Sequence, residues 1–409
     1  MIMSRLSKYI GLILLVTFSS KSFAANELVV WEDEKKAKGI TQAVADFESE
    51  FNCKVTVKEI PYVSQVEKLR LDGPAGTGPD IFMIPSDRIG SAVVQGLVAP
   101  IKFMNEDQDK YIASSVSAFT RNGEIYAVPK VVETLIMVYN KSVLRRPFDT
   151  LEEYFDYSKK RLDRENKEYG LLVKLDSLYY AFSMMQPYGA YVFGLDKDGN
   201  LDANDVGLSN KGAVEGIELA KKFYDNSCIP ESILGEDGIY ELDNLFCSGK
   251  VGAVITGPWA LDYYKTAGIN YGVTPLPILP NGKPMSSFLG VKGYAISTWA
   301  NDYDLAEEFL RFINQPKYVK QRYLDTNEIP PVKAVMIDPI ITENDVANAI
   351  AVQASRASPT PSIPEMAEVW TPMDTSLRSI YENNKSVKDA LNSAVELVHY
   401  QIEAFRSGM

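Results

Sequence analysis

The stretch GEIYAVPKVVETLIMVYNKSVL, residues 123–144, decides the fold. It reads as two strands joined by a short turn, with no helix between them. A chain needs a long extended passage of this kind to cross from one domain to another. The length agrees: 409 residues, 46% hydrophobic and 23% charged, suit two globular domains better than one.

Upstream of the passage, LVVW (28–31) has the look of a buried strand. GITQAVADFESEF follows, with Ile40, Val44, Phe47 and Phe51 at helical spacing. KVTVKEI (54–60) alternates as a second strand, VSQVEKLRL is helical, and GPAGTG is a loop of breakers. IFMI (81–84) then runs into Asp87, Arg88 and a helical pattern. The order β-α-β-α-β-α predicts an open parallel sheet with helices on both faces.

Downstream, residues 151–168 read as a charged helix. A second α/β region runs through LLVKL, GAVEGIELAKKFYDN and GKVGAVITGPWA. A proline-rich stretch (Pro275, Pro277, Pro280, Pro284) precedes SFLGVKGYAIST, which can carry the chain back to the first region. The end is one helix, with Val387, Leu391, Ala394, Val398, Ile402 and Phe405 as its apolar stripe.

Composition excludes several functions. A net charge of −12 and a pI near 4.9 argue against nucleic acid and against anionic lipid. His399 is the only histidine and lies inside the final helix, so a Ser-His-Asp triad or a histidine-rich metal site is not expected. There is no GxSxG elbow and no GxxxxGK loop, and no cofactor is implied. DKDGNLD (196–202) alternates carboxylates as calcium loops do, but lacks their later glycine and glutamate. A hairpin turn at Asp198-Gly199 is the better reading. Of the three cysteines, Cys228 and Cys247 could pair and leave Cys53 as an odd thiol; three inert cysteines are nearly as compatible with the spacing.

The N-terminus carries Arg5 and Lys8, then an uncharged, mostly apolar run from Tyr9 to Phe18, then Ser22-Phe23-Ala24. This is a secretory signal peptide cut after Ala24. The apolar run is shorter than the roughly 20 residues a spanning helix needs. The mature chain is expected to be exported.

Charges and rings recur where strands end and helices begin. Asp87 and Arg88 follow IFMI; Glu133 lies in VVETL; Tyr179 and Tyr180 follow LLVKL. Tyr240 precedes a helix, Trp259 follows VGAVI, and Trp370 starts a helix after PSIPEMAEV. The bland reading makes each ring a core residue and Asp87 a helix cap. Their recurrence at comparable strand ends favours a ligand cleft instead. A pyranose fits such a cleft, because rings cover its C–H face and charged groups bond its hydroxyls.

In order and spacing, LVVW, GPDIFMIPSDRIGSAVVQGLVAPI, GEIYAVPKVVETLIMVYNKSVL, GKVGAVITGPWA, INYGVTPLP and PSIPEMAEVW resemble the maltose/maltodextrin-binding family. These are extracellular solute-binding proteins of ABC importers. The resemblance covers nearly the whole mature chain. It implies a two-lobed periplasmic-binding-protein fold (type II), each lobe an α/β sheet flanked by helices, with a hinge of crossing segments. The implied lobes are residues 25–132 plus 293–338 and residues 133–292 plus 339–409, after a signal peptide at 1–24.

The resemblance also implies roles. Asp87, Arg88 and Glu133 match groups that bond sugar hydroxyls; Trp259, Trp370 and Tyr179 match stacking rings. Tyr240 falls beside another tyrosine position. Glu34 and Lys35 lie where the family uses an acid and a lysine. Two positions depart: Ile84 replaces a tryptophan, and Ser177 replaces a glutamate. The implied function is capture of maltose, maltodextrin or a related oligosaccharide in the periplasm, as a monomer, for delivery to an ABC permease at the inner membrane. A chemoreceptor is a further possible partner.

Other readings are another glucoside or a polyamine in the same cleft, or a glycoside hydrolase using Asp87 and Glu133. Arg88 beside Asp87 is expected to keep that carboxylate ionised, which suits binding better than proton donation. No enzymatic activity is expected.

Overall fold

The structure is a computed structural model and describes residues 27–197 and 200–407. The expected signal peptide at 1–24 and the expected turn at Asp198-Gly199 lie outside the described residues.

Two sheets organise the chain. In the first, strand Glu27–Glu32 pairs in parallel with Lys54–Glu59 on one side and Ile81–Pro85 on the other. Helices Thr41–Phe51 and Tyr62–Asp72 connect them, as the sequence pattern predicts. Leu28, Val30 and Ile81 to Ile84 are fully buried, as strands covered on both faces must be. The sheet is not wholly parallel. Strand Phe288–Ser297 runs antiparallel to Ile81–Pro85 and also pairs with Val128–Glu133. It arrives from the second region, so no helical crossover on the same sheet dictates its direction.

The second sheet orders Tyr271–Thr274, Ile136–Asn140, Val251–Thr256 and Tyr169–Leu172. Only Thr134 and Leu135 separate its strand Ile136–Asn140 from Val128–Glu133 in the first sheet. Residues 123–144 therefore do cross between sheets. The return runs through 275–287. The two crossings touch: the hydroxyls of Thr134 and Ser287 are 2.6 Å apart, and Thr134 also donates to the Phe288 carbonyl at 2.9 Å. A third passage is tied in where the Val132 amide donates to the Ile329 carbonyl. Helix Trp370–Glu382 packs against the final helix, Val387–Ser407, whose predicted apolar stripe is buried except at Phe405, which is half-buried.

Two expectations change. The helix expected over 151–168 is Leu151–Arg161, opened by a capping box between Thr150 and Glu153. Beyond it the Asp163 carboxylate accepts from the Asn166 amide, a local turn that competes with helix. All three cysteines are free, so Cys228 and Cys247 form no bridge. Around 196–202, strands Phe193–Leu195 and Leu201–Val206 form the antiparallel pair a hairpin requires. Among the described residues no group of three His, Cys, Asp or Glu side chains could hold a metal ion. No described helix is long and apolar enough to cross a membrane.

Candidate functional site

One wall of the site grows from the strand ends of the first sheet. Strand Glu27–Glu32 ends on Glu32, which is buried in an ion pair with Lys130 at 2.7 Å. The next residue, Asp33, is the first that can look outward. Its Oδ1 accepts from the backbone amides of Glu34 at 2.9 Å and Tyr62 at 3.1 Å. Its Oδ2 lies 4.0 Å from the Lys292 ammonium. Lys292 sits mid-strand, opposite Pro85, and places its ammonium 2.9 Å from Glu133 and 4.3 Å from the centre of the Tyr62 ring. Burial opposes the charge on Lys292, but Glu133, Tyr62 and Glu328 outweigh it and hold the ammonium above the usual lysine value.

Asp87 stands in the first turn of helix Ser86–Val94 and is half-buried, while Arg88 is exposed. Burial pushes the Asp87 carboxyl up, and Arg88 offsets only part of the shift. Arg88 does favour the ionised form of Asp87, as expected, but burial is the larger influence because an exposed guanidinium is screened by water. The Tyr62 hydroxyl is pushed up first by burial, against Lys292, and then by Glu133, Asp87 and Asp33. These acids, the tyrosine and the lysine therefore form one electrostatic cluster.

The facing wall is aromatic. Tyr179 is the second residue of helix Leu178–Met185, Trp259 sits in the single turn Pro258–Ala260 after strand Val251–Thr256, and Trp370 begins helix Trp370–Glu382. The Tyr179 ring lies 6.0 Å from Trp259, 6.1 Å from Phe288 and 6.5 Å from Trp370. Trp259 stays 44% exposed and folds over Gly257, where a Cβ would sit 2.0 Å from the ring. The Tyr179 hydroxyl comes within 4.0 Å of where a side chain on Gly290 would begin, and Gly290 pairs with Glu133. Burial raises the Tyr179 hydroxyl well above its ordinary value, with Glu133 the next cause. Rings and acids thus face each other.

Several residues named from sequence lie elsewhere. Glu34 and Lys35 are exposed beyond Asp33. Tyr180 is buried, edge-on to Tyr179, with its hydroxyl raised by burial and by Asp243 and held down by Thr256. Tyr240 is 67% exposed and makes no ring contact among the described residues. Ile84 is fully buried, so its position contributes core rather than surface. Ser177 caps its helix without a side-chain bond.

Sequence reasoning missed Asp33, Tyr62, Phe288, Lys292 and Asp374. Lys292 had a signal: it is the one charge in the apolar strand FLGVKGYAIS. Asp374 follows Trp370 by one helical turn and accepts from the Leu178 amide at 2.6 Å. It joins the helix starts that carry Trp370 and Tyr179. Burial, aided by Asp176, raises its carboxyl to about 6.

Rings opposite carboxylates and one ammonium can cover an apolar ligand face and bond its polar rim. Residues 42–350 match the family of bacterial extracellular solute-binding proteins. The chain is a member of that family. As a solute-binding protein it is not an enzyme. It is 44% identical to the galactooligosaccharide-binding protein of Bacillus subtilis (strain 168), over 95% of this chain and 93% of that one. It is 34% identical to the maltodextrin-binding protein MdxE of the same organism, over 94% and 93%. Among solved structures, a cyclo/maltodextrin-binding protein complexed with maltotetraose matches with a TM-score of 0.85 and 36% identity, over 92% of this chain and 97% of that chain. The solute-binding protein shares with it the architecture of two lobes, each a sheet flanked by helices.

Proposed function

We propose that this protein captures an oligosaccharide between its lobes and delivers it to the membrane permease of an ABC importer. The carrying observation is the ring of Tyr179 between Trp259 and Trp370, opposite Asp33, Asp87 and Glu133. The three rings take the sugar faces and the acids take the hydroxyls. Lobe closure about the paired crossings at Thr134 and Ser287 buries the sugar and changes the surface shown to the permease. Residues 25–132 with 293–338 form one lobe in this reading, and 133–292 with 339–409 the other. The protein works outside the cytoplasmic membrane, in the periplasm after cleavage at Ala24, as a monomer. A chemoreceptor that reads the closed form is compatible with the same motion.

Relatives named for galactooligosaccharides and for maltodextrins both support the ligand class. The higher identity to the former, together with Ile84 and Ser177, favours a galacto-oligosaccharide over maltose. A polyamine is disfavoured, because Lys292 already places a cation among the acids. Titration calorimetry with galactosyl oligosaccharides, maltotriose, maltotetraose and trehalose tests the proposal. Saturable heat from one of them is expected; no heat from any would overturn it.

A further inference from the structure

We propose that Lys292 is a specificity-determining residue, whose ammonium fills the cation position formed by Asp33, Glu133 and Tyr62, so that the site takes neutral saccharides and turns cationic ones away. The inference rests on the oligosaccharide reading of the same site.

The position is built for a cation. Glu133 lies 2.9 Å from the ammonium, Asp33 lies 4.0 Å away, and the Tyr62 ring centre is at 4.3 Å. Two carboxylates and an aromatic face are what a protonated amine needs when it leaves water. The sheet register brings them together. Gly290 pairs with Glu133, and Lys292 stands two residues further on the same strand, hence on the same face. Gly290 contributes no side chain, which leaves the diagonal between Lys292 and Glu133 open.

A plain core ion pair would look different, and the same sheet contains one. The Lys130 ammonium is fully buried, with Glu32 at 2.7 Å and Glu328 at 3.1 Å nearly or fully buried as well. That pair is sealed. Lys292 is itself 8% exposed, but the side chains of Asp33 and Glu133 keep 15% and 18% of their surface open. Glu133 lies close to the Tyr179 hydroxyl, which approaches its strand partner Gly290 and feels its charge. An amine arriving there would meet a site that already holds its cation. A neutral hydroxyl would meet carboxylates whose charge Lys292 already offsets in part and whose remaining lone pairs can accept from it.

The test is thermal shift and calorimetry on wild type, K292M and the double variant E133Q/K292M, with spermidine and the fully deacetylated glucosamine trimer as cationic probes. Wild type should bind neither probe at millimolar concentration. K292M should bind at least one about tenfold more tightly than wild type, because two carboxylates and a ring are left without their cation. E133Q/K292M should lose that gain. Circular dichroism and melting confirm that each variant is folded, and K292Q keeps a polar head there if K292M does not fold. Wild type binding a cationic probe as well as a neutral sugar would overturn the inference. So would a folded K292M or K292Q that gains nothing. Wild type that binds a neutral oligosaccharide while the lysine variants gain no cation response would overturn the role of Lys292 alone. Wild type giving no heat with any neutral sugar would overturn the reading beneath it as well.

Discussion

The ring of Tyr179 stands 6.5 Å from that of Trp370, tilted by 45°, on helices that meet only through tertiary packing. Replacing Trp370 by alanine should remove one stacking surface and weaken oligosaccharide binding about ten- to a hundredfold, or about 1.4–2.8 kcal/mol. Tyr240→Ala should stay within about twofold, since Tyr240 is exposed and touches no ring among the described residues. Calorimetric dissociation constants for the two variants decide between a ring cluster and a diffuse aromatic surface.

Asp33 and Glu34 are adjacent, yet only Asp33 faces Lys292. Asp33→Asn should cost about tenfold in sugar affinity, and Glu34→Gln should change it by less than about twofold. Equal losses from both would mean that the strand presents Glu34 to the ligand instead.

Asp374 titrates near 6 in the folded chain, above its ordinary 3.8. Between those values the native state holds a proton that the unfolded chain has released. Stability therefore falls as pH rises from about 4 to about 6, and the deficit stays constant above that. Asp374→Asn removes this dependence, so wild type should lose stability relative to the variant across that window. Asp87, also raised by burial, is present in both proteins and cancels in the comparison. Urea unfolding of both proteins at pH 4, 5, 6 and 7 measures the difference.

Lys130 neutralises Glu32 and Glu328 inside the first lobe, and Tyr294 also donates to Glu32. Lys130→Met should cost about 3–5 kcal/mol, because it removes the buried cation that both carboxylates share. Burial works against the charge on Glu328, but Lys130, Lys36 and Lys292 hold its carboxyl down to about 2. That contribution is complete above pH 4.5 and is lost as pH falls toward 2. The stability advantage of wild type over Glu328→Gln should shrink over the same range in acid unfolding curves.

Much of the fold could be read from the sequence because its signals are local. Apolar runs such as IFMI and VGAVI became buried strands, and the helix-free passage at 123–144 became a crossing. The site was legible only as a set of strand ends. A lysine inside the apolar strand FLGVKGYAIS announced a buried partner but could not name Glu133. Nor could the sequence say that Asp374 ties two helix starts together, since it lies 196 residues from its donor Leu178.

The sequence alone determined the order of strands and helices, the two crossings and the type of chemistry gathered at the strand ends. These follow from periodicity and from backbone preferences, which act over a few residues. Only the tertiary structure decided which of two neighbours joins the cluster of rings and charges: Tyr179 beside Trp259 and Trp370 while Tyr180 is buried, and Asp33 beside Lys292 while Glu34 is exposed. Successive helical residues point about 100° apart, so packing of the helix on its lobe selects the one that looks out. The first strand is held by the Glu32–Lys130 pair, and that anchor sets which carboxylate comes next to Lys292.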